Sequence, residues 1–362
     1  MIWTRRTFVS ALSAAAVVAP KFSSVAVAEA PSGSFRAFVG ASDGTVMAYR
    51  VSDGAWRQDG AAVVAASPRG LALHPTLPVL YATDAVDGHG DRPRGSVAAF
   101  RVTGSGLAAM NVEGMALSAT APSHLSVVDD VLLVSSAGGG AYNAFGLAED
   151  GALLPVASAL KQIGSGPHVL QEKAHPHASV AGELGAYASD FGSDRVNHLV
   201  FTEGIASVAS RVSLPAGSGP GHLVLAGSHL VVASRLSAGL TVLPVDQTSG
   251  RLEAAVHALP VALAECGPLA VNGSGNRIYL AGVDHAGETV VASFGLSSGG
   301  RLRALQSVTV AGAGRPEQMV LAGKELLLAG AGGVSRIPVF AGRLGEGALV
   351  LPKAGAVSLV VG

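Results

Sequence analysis

The stretch PSHLSVVDDVLLVSSAGGGAYNAFGL, Pro122 to Leu147, reads as three short strands joined by tight turns. A proline leads an apolar run, Asp129-Asp130 turns it, and Val131–Ser136 runs back. Small residues turn it again, and the third strand ends near Phe145. Short apolar runs bounded by turn formers suit buried strands, whereas a helix needs apolar residues spaced about 3.6 apart. The same order recurs along the chain. The strands equivalent to Val131–Ser136 are Arg36–Ala41, Val79–Asp84, Ala186–Asp190, His229–Ser234, Arg277–Gly282 and Glu325–Gly330, making seven in all. The strand after each ends near Tyr49, Phe100, Phe145, Phe201, Val245, Phe294 and Phe340, a period of about 48 residues. Four short strands repeating every 40–50 residues or so are the mark of propeller blades. The chain is therefore predicted to be all-β, a seven-bladed β-propeller over residues 33–362.

Inner strands fall between the repeats at Gly70–His74, His124–Val128, His177–Ala181, His222–Ala226, Pro268–Asn272 and Gln318–Ala322. The seventh is Ala356–Gly362, AVSLVVG, which has nothing after it, while the first repeat lacks an inner strand of its own. The C-terminal strand is expected to pair innermost in the first blade and close the ring, removing exposed sheet edges. A two-domain β-sandwich is the competing reading.

Composition agrees with many short strands. Hydrophobic residues make up 49% and charged residues 14%, which places the chain among globular proteins. Glycine is abundant at 48 residues and aromatics are scarce at 5%, as numerous tight turns require. A lone Cys266 excludes an intrachain disulfide framework and a multi-cysteine metal site, and reads as a small buried apolar residue.

The N-terminus reads as an address. Thr4-Arg5-Arg6-Thr7-Phe8-Val9 precedes a mildly apolar, Ala-rich stretch, which matches the twin-arginine export pattern. Ala26-Val27-Ala28 supplies the small-x-small site for signal peptidase. A membrane anchor would need about 20 strongly apolar residues, and Pro20, Lys21, Ser23 and Ser24 interrupt this one. Residues 1–28 are thus expected to be a signal peptide, with the twin-arginine translocase and signal peptidase as partners. The destination would be the periplasm or the exterior, with no membrane association once the signal is removed. The mature chain would carry 21 basic against 25 acidic residues, a net charge of −4, which excludes a basic nucleic-acid binder.

Prolines mark where chemistry could gather. Pro68-Arg69, Pro122-Ser123-His124, Pro176-His177, Pro220-Gly221-His222, Pro268-Leu269 and Pro316-Glu317 all precede or open inner strands. In a propeller these points face one mouth of the central channel, so Arg69, His124, His177, His222 and Glu317 form a candidate constellation. His175 joins His168 and His177 in the densest histidine group. Imidazole can act as a general base or a metal ligand, but no third ligand is fixed by the local sequence, so neither metal nor other cofactor is assigned. Plainer roles compete: His124 and His222 as channel plugs, Arg315 and Glu317 as a solvated rim pair, and His74, before Pro75, as a turn residue.

Gln171-Glu172-Lys173-Ala174-His175-Pro176-His177-Ala178-Ser179 resembles the "RQ…pHpHs" signature of the seven-bladed lactonase family, which includes bacterial 6-phosphogluconolactonases and fungal carboxymuconate-lactonising enzymes. Ala188 to Val196, ASDFGSDRV, resembles the family's "vaDlGtDrv", and Gly217 to His222, GSGPGH, its "GsGPRH". Asp246 to Leu252, DQTSGRL, is similar to its "d..tG.L" hairpin. The resemblance covers about residues 164–252. It implies lactone hydrolysis without a metal, with His177 as the family's mouth histidine. Three charged family positions differ: the arginine of "PRH" is Gly221, the glutamate of "nEl" falls at Arg235, and the arginine of "NRG" falls at Gly282 or Val283.

Two functions follow. The first is an exported hydrolase of sugar-acid lactones with weak or altered activity. In it His177 activates water, Arg69 or Arg235 holds an anionic group, and His124, His175, His222 and Glu317 complete the substrate site. The base would titrate at an ordinary imidazole value, roughly 6–7. The second is a catalytically silent propeller binding a small sugar acid or a protein at the same mouth. A 6-phosphogluconate substrate is disfavoured, because the arginines suited to phosphate are absent.

Overall fold

The computed structural model describes residues 34–84, 86–353 and 355–362; the signal-peptide reading of 1–28 falls outside them. Seven antiparallel sheets follow one another around a ring. Blade 2 comprises Leu71–Leu73, Val79–Thr83, Ser96–Thr103 and Gly106–Gly114, and blade 3 Pro122–Val128, Val131–Ser136, Ala141–Leu147 and Leu153–Lys161. Blade 4 comprises Pro176–Gly182, Gly185–Asp190, Arg195–Thr202 and Ile205–Ser213, and blade 5 Pro220–Ala226, His229–Ser234, Gly239–Pro244 and His257–Pro260. Blade 6 runs Glu265–Val271, Arg277–Val283, Thr289–Leu296 and Leu302–Thr309. Blade 7 runs Pro316–Ala322, Glu325–Gly330 and Gly333–Phe340, its outer edge split between Arg343–Leu344 and Ala348–Leu351. Blade 1 takes Ser34–Ala41, Thr45–Ser52 and the divided edge Ala55–Gln58 and Val63–Val64 from the start of the described chain, and Ala356–Val361 from its end.

Closure is as the sequence predicts. Ala356–Val361 lies antiparallel to Ser34–Ala41, pairing Ala37 with Val361, Val39 with Leu359 and Gly40 with Ser358. Arg36 and Gly362 exchange both backbone hydrogen bonds, at 2.9 and 3.0 Å. Ser358 donates its hydroxyl to the carbonyl of Pro68 in the next blade. A Cβ on Gly40 would collide with that same Ser358–Pro68 contact, so only glycine fits there.

Each gap between blades holds its own apolar layer. Phe38 and Leu80 pack between blades 1 and 2, Tyr81 and Phe145 between 2 and 3, and Leu133 and Leu199 between 3 and 4. Leu230 packs against Tyr187 between blades 4 and 5, Leu280 against Val231 between 5 and 6, and Leu328 against Tyr279 between 6 and 7. Leu359 completes the ring against Leu327 between blades 7 and 1. Second strands are buried on both faces, which explains their unbroken apolar runs. The few aromatics also tie blades together. Tyr81 donates to the carbonyl of Gly151 at 2.7 Å, Tyr142 to that of Ser189 at 2.8 Å and Tyr187 to that of Gly250 at 2.9 Å.

One boundary is corrected: blade 6 starts its inner strand at Glu265, not at Pro268. The register shifts between Cys266 and Leu269, and Pro268 lies in that bulge, where a missing N–H is tolerated. His74 is the turn residue it reads as; its Nδ1 accepts from the backbone of Thr76 and Leu77 at 3.2 and 3.0 Å. Among the described residues no helix is long and apolar enough to cross a membrane.

Deleting residues 356–362 is expected to cost several kcal/mol, because burial of Ala356 and Leu359 and one whole ladder vanish together. A truncated protein that is soluble and melts within a few degrees of the full chain would show that closure does not depend on this strand.

Candidate functional site

Among the described residues, six of the seven inner strands carry a β-bulge at the same end. In blade 4, His177 and Ala178 stand opposite the single residue Ser189; in blade 5, Gly221 and His222 stand opposite Ala233. In blade 3 the extra residue is Ser123, beside His124, and in blade 7 it is Glu317. A bulge re-aims side chains that a regular strand would alternate between its faces. The prolines occur at these bulges for the same reason. They need no ladder N–H there.

The result is a cleft of about 350 Å³, counted with its open mouth, lined by His177, His222, Arg235, Glu265, Arg315 and Glu317. The histidines stack edge to face. His177 and His222 lie 5.5 Å apart between ring centroids, and His222 and His124 lie 6.3 Å apart. Phe191 packs against His175 at 5.3 Å and His177 at 6.2 Å, and the Arg235 guanidinium lies 5.8 Å from the same ring.

Glu265 is gripped from two sides by arginines. Arg235 donates to its Oε1 from Nε and Nη2, the former at 3.0 Å. Arg315 reaches the same oxygen from blade 7 at 2.5 Å. The expected Arg315–Glu317 pair is thus corrected: Arg315 pairs with Glu265, one blade away. Space for Arg235 comes from Gly221, where a Cβ would lie 2.8 Å from both its Cγ and Cδ. A side chain at 221 would therefore collide with Arg235, so the two positions are sterically coupled.

Below this surface is a buried polar knot. Asp190, 1% exposed, accepts from the backbone of His175 at 2.6 Å and Gly192 at 3.1 Å, and from the Ser193 hydroxyl at 2.6 Å. Asp194 accepts from Gln171 Nε2 and Gly219 N, both at 2.7 Å, and from Gly217 N at 2.8 Å. Gln171 also donates to the Phe191 carbonyl at 2.7 Å. Two buried carboxylates satisfied this fully fix three loops at once: the one carrying His175, the one carrying Phe191, and the one leading to His222.

The histidines are held neutral. The residues keep slight solvent contact, but crowding of the rings denies the charged form its hydration. Burial pushes His124 down to about 4, and burial plus the charges of His124 and Arg235 pushes His222 lower still. Burial likewise holds His177 well below the imidazole range, with His222 and Arg235 adding repulsion. His175 is lowered by burial, partly offset by Asp190. His124 accepts the Ser179 N–H on Nδ1 at 3.3 Å, which fits a neutral ring protonated on Nε2. Crowding also raises the Glu317 carboxyl, although the residue keeps solvent contact at the rim and Arg315, Arg235 and Arg69 pull it the other way. Cys266 is fully buried with its thiol pushed up to about 12 by burial and the neighbouring Glu265, so it is no nucleophile.

Of the residues the sequence singles out, His177, His222, Arg235 and Glu317 line the cleft. His124 and His175 lie one ring behind it, and Arg69 is exposed and acts on Glu317 through its charge. Glu265 is missed as a site residue, and Arg315 is read only as a rim partner of Glu317. Both stand at the start of a bulged inner strand, where polar residues recur in the other blades, but at Glu265 the proline three positions later hid that start. Among the described residues no three His, Cys, Asp or Glu groups are placed to hold a metal ion.

A family model of seven-bladed β-propeller lactonases matches residues 37–350. The chain is similar to the Pseudomonas aeruginosa periplasmic gluconolactonase PpgL, with 20% identity and a TM-score of 0.80 over 91% of this chain and 99% of that one. It is similar to a Bacteroides fragilis protein provisionally described as a 6-phosphogluconolactonase, with 18% identity and a TM-score of 0.79 over 91% and 98%. A Lactobacillus plantarum protein gives 20% and 0.79 over 91% and 99%. At these identities the structures show a shared fold. No curated protein sequence matches the chain.

Proposed function

The chain belongs to the seven-bladed β-propeller lactonase family, and from that premise we propose that it is an exported hydrolase of sugar-acid lactones with modest turnover. The observation that carries the proposal is the convergence of His177 and Arg235 in one cleft, braced from behind by Phe191.

The lactone carbonyl would sit between them. Neutral His177 takes a proton from water as the water oxygen bonds to the carbonyl carbon. Charge then develops on the carbonyl oxygen. Arg235 commits Nε and Nη2 to Glu265, and among the described residues its Nη1 has no protein partner, leaving a donor for that oxygen. Collapse of the tetrahedral species breaks the ring C–O bond. The imidazolium of His177 returns its proton to the departing alkoxide, which gives the open hydroxy acid. A dedicated oxyanion donor is worth on the order of 10²–10³ in rate and a positioned base about 10²–10⁴.

Two features support modest turnover. A base held well below the usual imidazole range is always free at neutral pH, but it accepts a proton less readily than one matched to the working pH. Gly221 and Gly282 also leave the cleft with fewer cations than the family pattern implies. Arg235, inside the cleft, suits the cation role better than Arg69 at its rim.

The twin-arginine pattern at Arg5-Arg6 supports export through the translocase, with signal peptidase cutting after Ala28. One structural neighbour is named as periplasmic.

With a panel of uncharged and anionic lactones, at least one substrate is expected to be turned over, and His177→Ala should lower kcat about a hundredfold or more. Activity requires the neutral base, so it is present above the His177 pKa and lost as pH falls through it. That pKa is lowered, so kcat/KM should stay flat through pH 6.5 and fall only below it, which revises the value expected from sequence. Background rates for both proteins would instead favour the silent binding propeller. For localisation, changing Arg5 and Arg6 both to lysine should leave precursor in the cytoplasm; unaltered export of that variant contradicts the twin-arginine route.

A further inference from the structure

Both arginines lining the cleft are answered by the same acid. Arg235 from blade 5 and Arg315 from blade 7 converge on one carboxylate oxygen of Glu265, which opens the inner strand of blade 6 between them. All three side chains keep partial solvent contact, at 25%, 52% and 33% exposure, so a ligand in the cleft can reach them. Glu317 supplies a second acid. With His177 and His222 neutral, two arginines stand against two glutamates, and the lining carries no net charge.

Building on the lactonase reading, we propose that Glu265 is the residue that sets substrate charge: it fills, from within the protein, the arginine fork that an anionic substituent would need. The cleft therefore takes uncharged sugar lactones and rejects phosphorylated or carboxylated ones.

Phosphate and carboxylate are gripped best by guanidinium groups whose paired N–H donors are free. Here one oxygen of Glu265 takes the paired Nε and Nη2 donors of Arg235 together with Nη2 of Arg315. An incoming anion must either displace Glu265, leaving a half-buried carboxylate without its partners, or sit beside it as a like charge. Burial alone would raise the Glu265 carboxyl, yet the hydrogen bonds and charges of Arg235 and Arg315 bring it below its ordinary value, so it stays ionised at working pH. A neutral lactone meets neither obstacle. It needs only hydroxyl and carbonyl hydrogen bonds, which Arg235 Nη1, Glu317 and the histidines can supply. Discrimination of this kind comes from an unfavourable contact with the wrong ligand rather than an added contact with the right one.

The test compares wild type with Glu265→Gln, which keeps the shape and removes the charge. Calorimetry measures binding of 6-phosphogluconate and of uncharged gluconolactam, and kinetics measure kcat/KM on gluconolactone and 6-phosphogluconolactone. The variant should bind 6-phosphogluconate about tenfold or more tightly than wild type, and its kcat/KM ratio of anionic to neutral lactone should rise by a similar factor. Equal binding of 6-phosphogluconate by the two proteins would overturn the proposal. If the variant does not fold, wild type alone still decides: 6-phosphogluconate bound more tightly than the lactam overturns it, and the reverse order supports it. Failure of the lactonase reading is separable, because it would appear as absent hydrolysis of every lactone while the binding comparison still stands.

Discussion

The antiparallel ladder between Ser34–Ala41 and Ala356–Val361 is the constraint on which the rest depends. Seven sheets, each packing a layer of small and medium side chains against the next, form a ring only if the last strand returns to the first. Closure converts seven similar sheets into one channel. It also turns a sequence repeat into a spatial convergence, because equivalent points of the blades then face the same mouth. Gly40, Ser358 and Pro68 meet at this seam so closely that no side chain could be added at 40.

On that ring the bulges do the chemical positioning. A regular inner strand would send alternate residues to opposite faces of its blade. The extra residue in blades 4, 5 and 7 re-aims His177, His222 and Glu317 toward the mouth, and the knot of Asp190, Asp194 and Gln171 fixes the loops around them. This separates two kinds of residue within the motifs. Gln171, Asp190 and Asp194 are internal and carry the architecture. Arg235, Glu265 and Arg315 line the cleft, and Gly221 makes room for Arg235. The first set is held by buried hydrogen bonds among the loops, and the second by ion pairs that reach across three blades.

Much of this was legible in the sequence because it is local or periodic. Apolar runs such as Val131–Ser136 and His229–Ser234 are bounded by turn residues, and the unpaired AVSLVVG at the end fits only one vacancy in the ring. The three channel histidines were legible because each follows a proline at the same phase of the repeat. The ion-pair bridge was not. Arg235 lies 30 residues before Glu265, and Arg315 lies 50 after it, in three different blades. Nothing in a repeat pattern says which arginine meets which acid. Pro268 also hid Glu265, since a proline reads as a strand start and not as the inside of a bulge. The lowered histidine pKa values were invisible for a similar reason. They arise from rings contributed by separate blades crowding one channel.

The proposed hydrolysis depends on a lactone carbonyl held between His177 and Arg235 at the bulged mouth. The most direct measurement is a crystal structure with gluconolactam, an uncharged analogue whose amide replaces the scissile ester. The expected result is the lactam in the cleft, its carbonyl oxygen within hydrogen-bond distance of Arg235, its carbonyl carbon facing His177, and the Arg235–Glu265–Arg315 bridge intact. Lactam bound elsewhere on the ring, or bound with its carbonyl turned away from both residues, would contradict it.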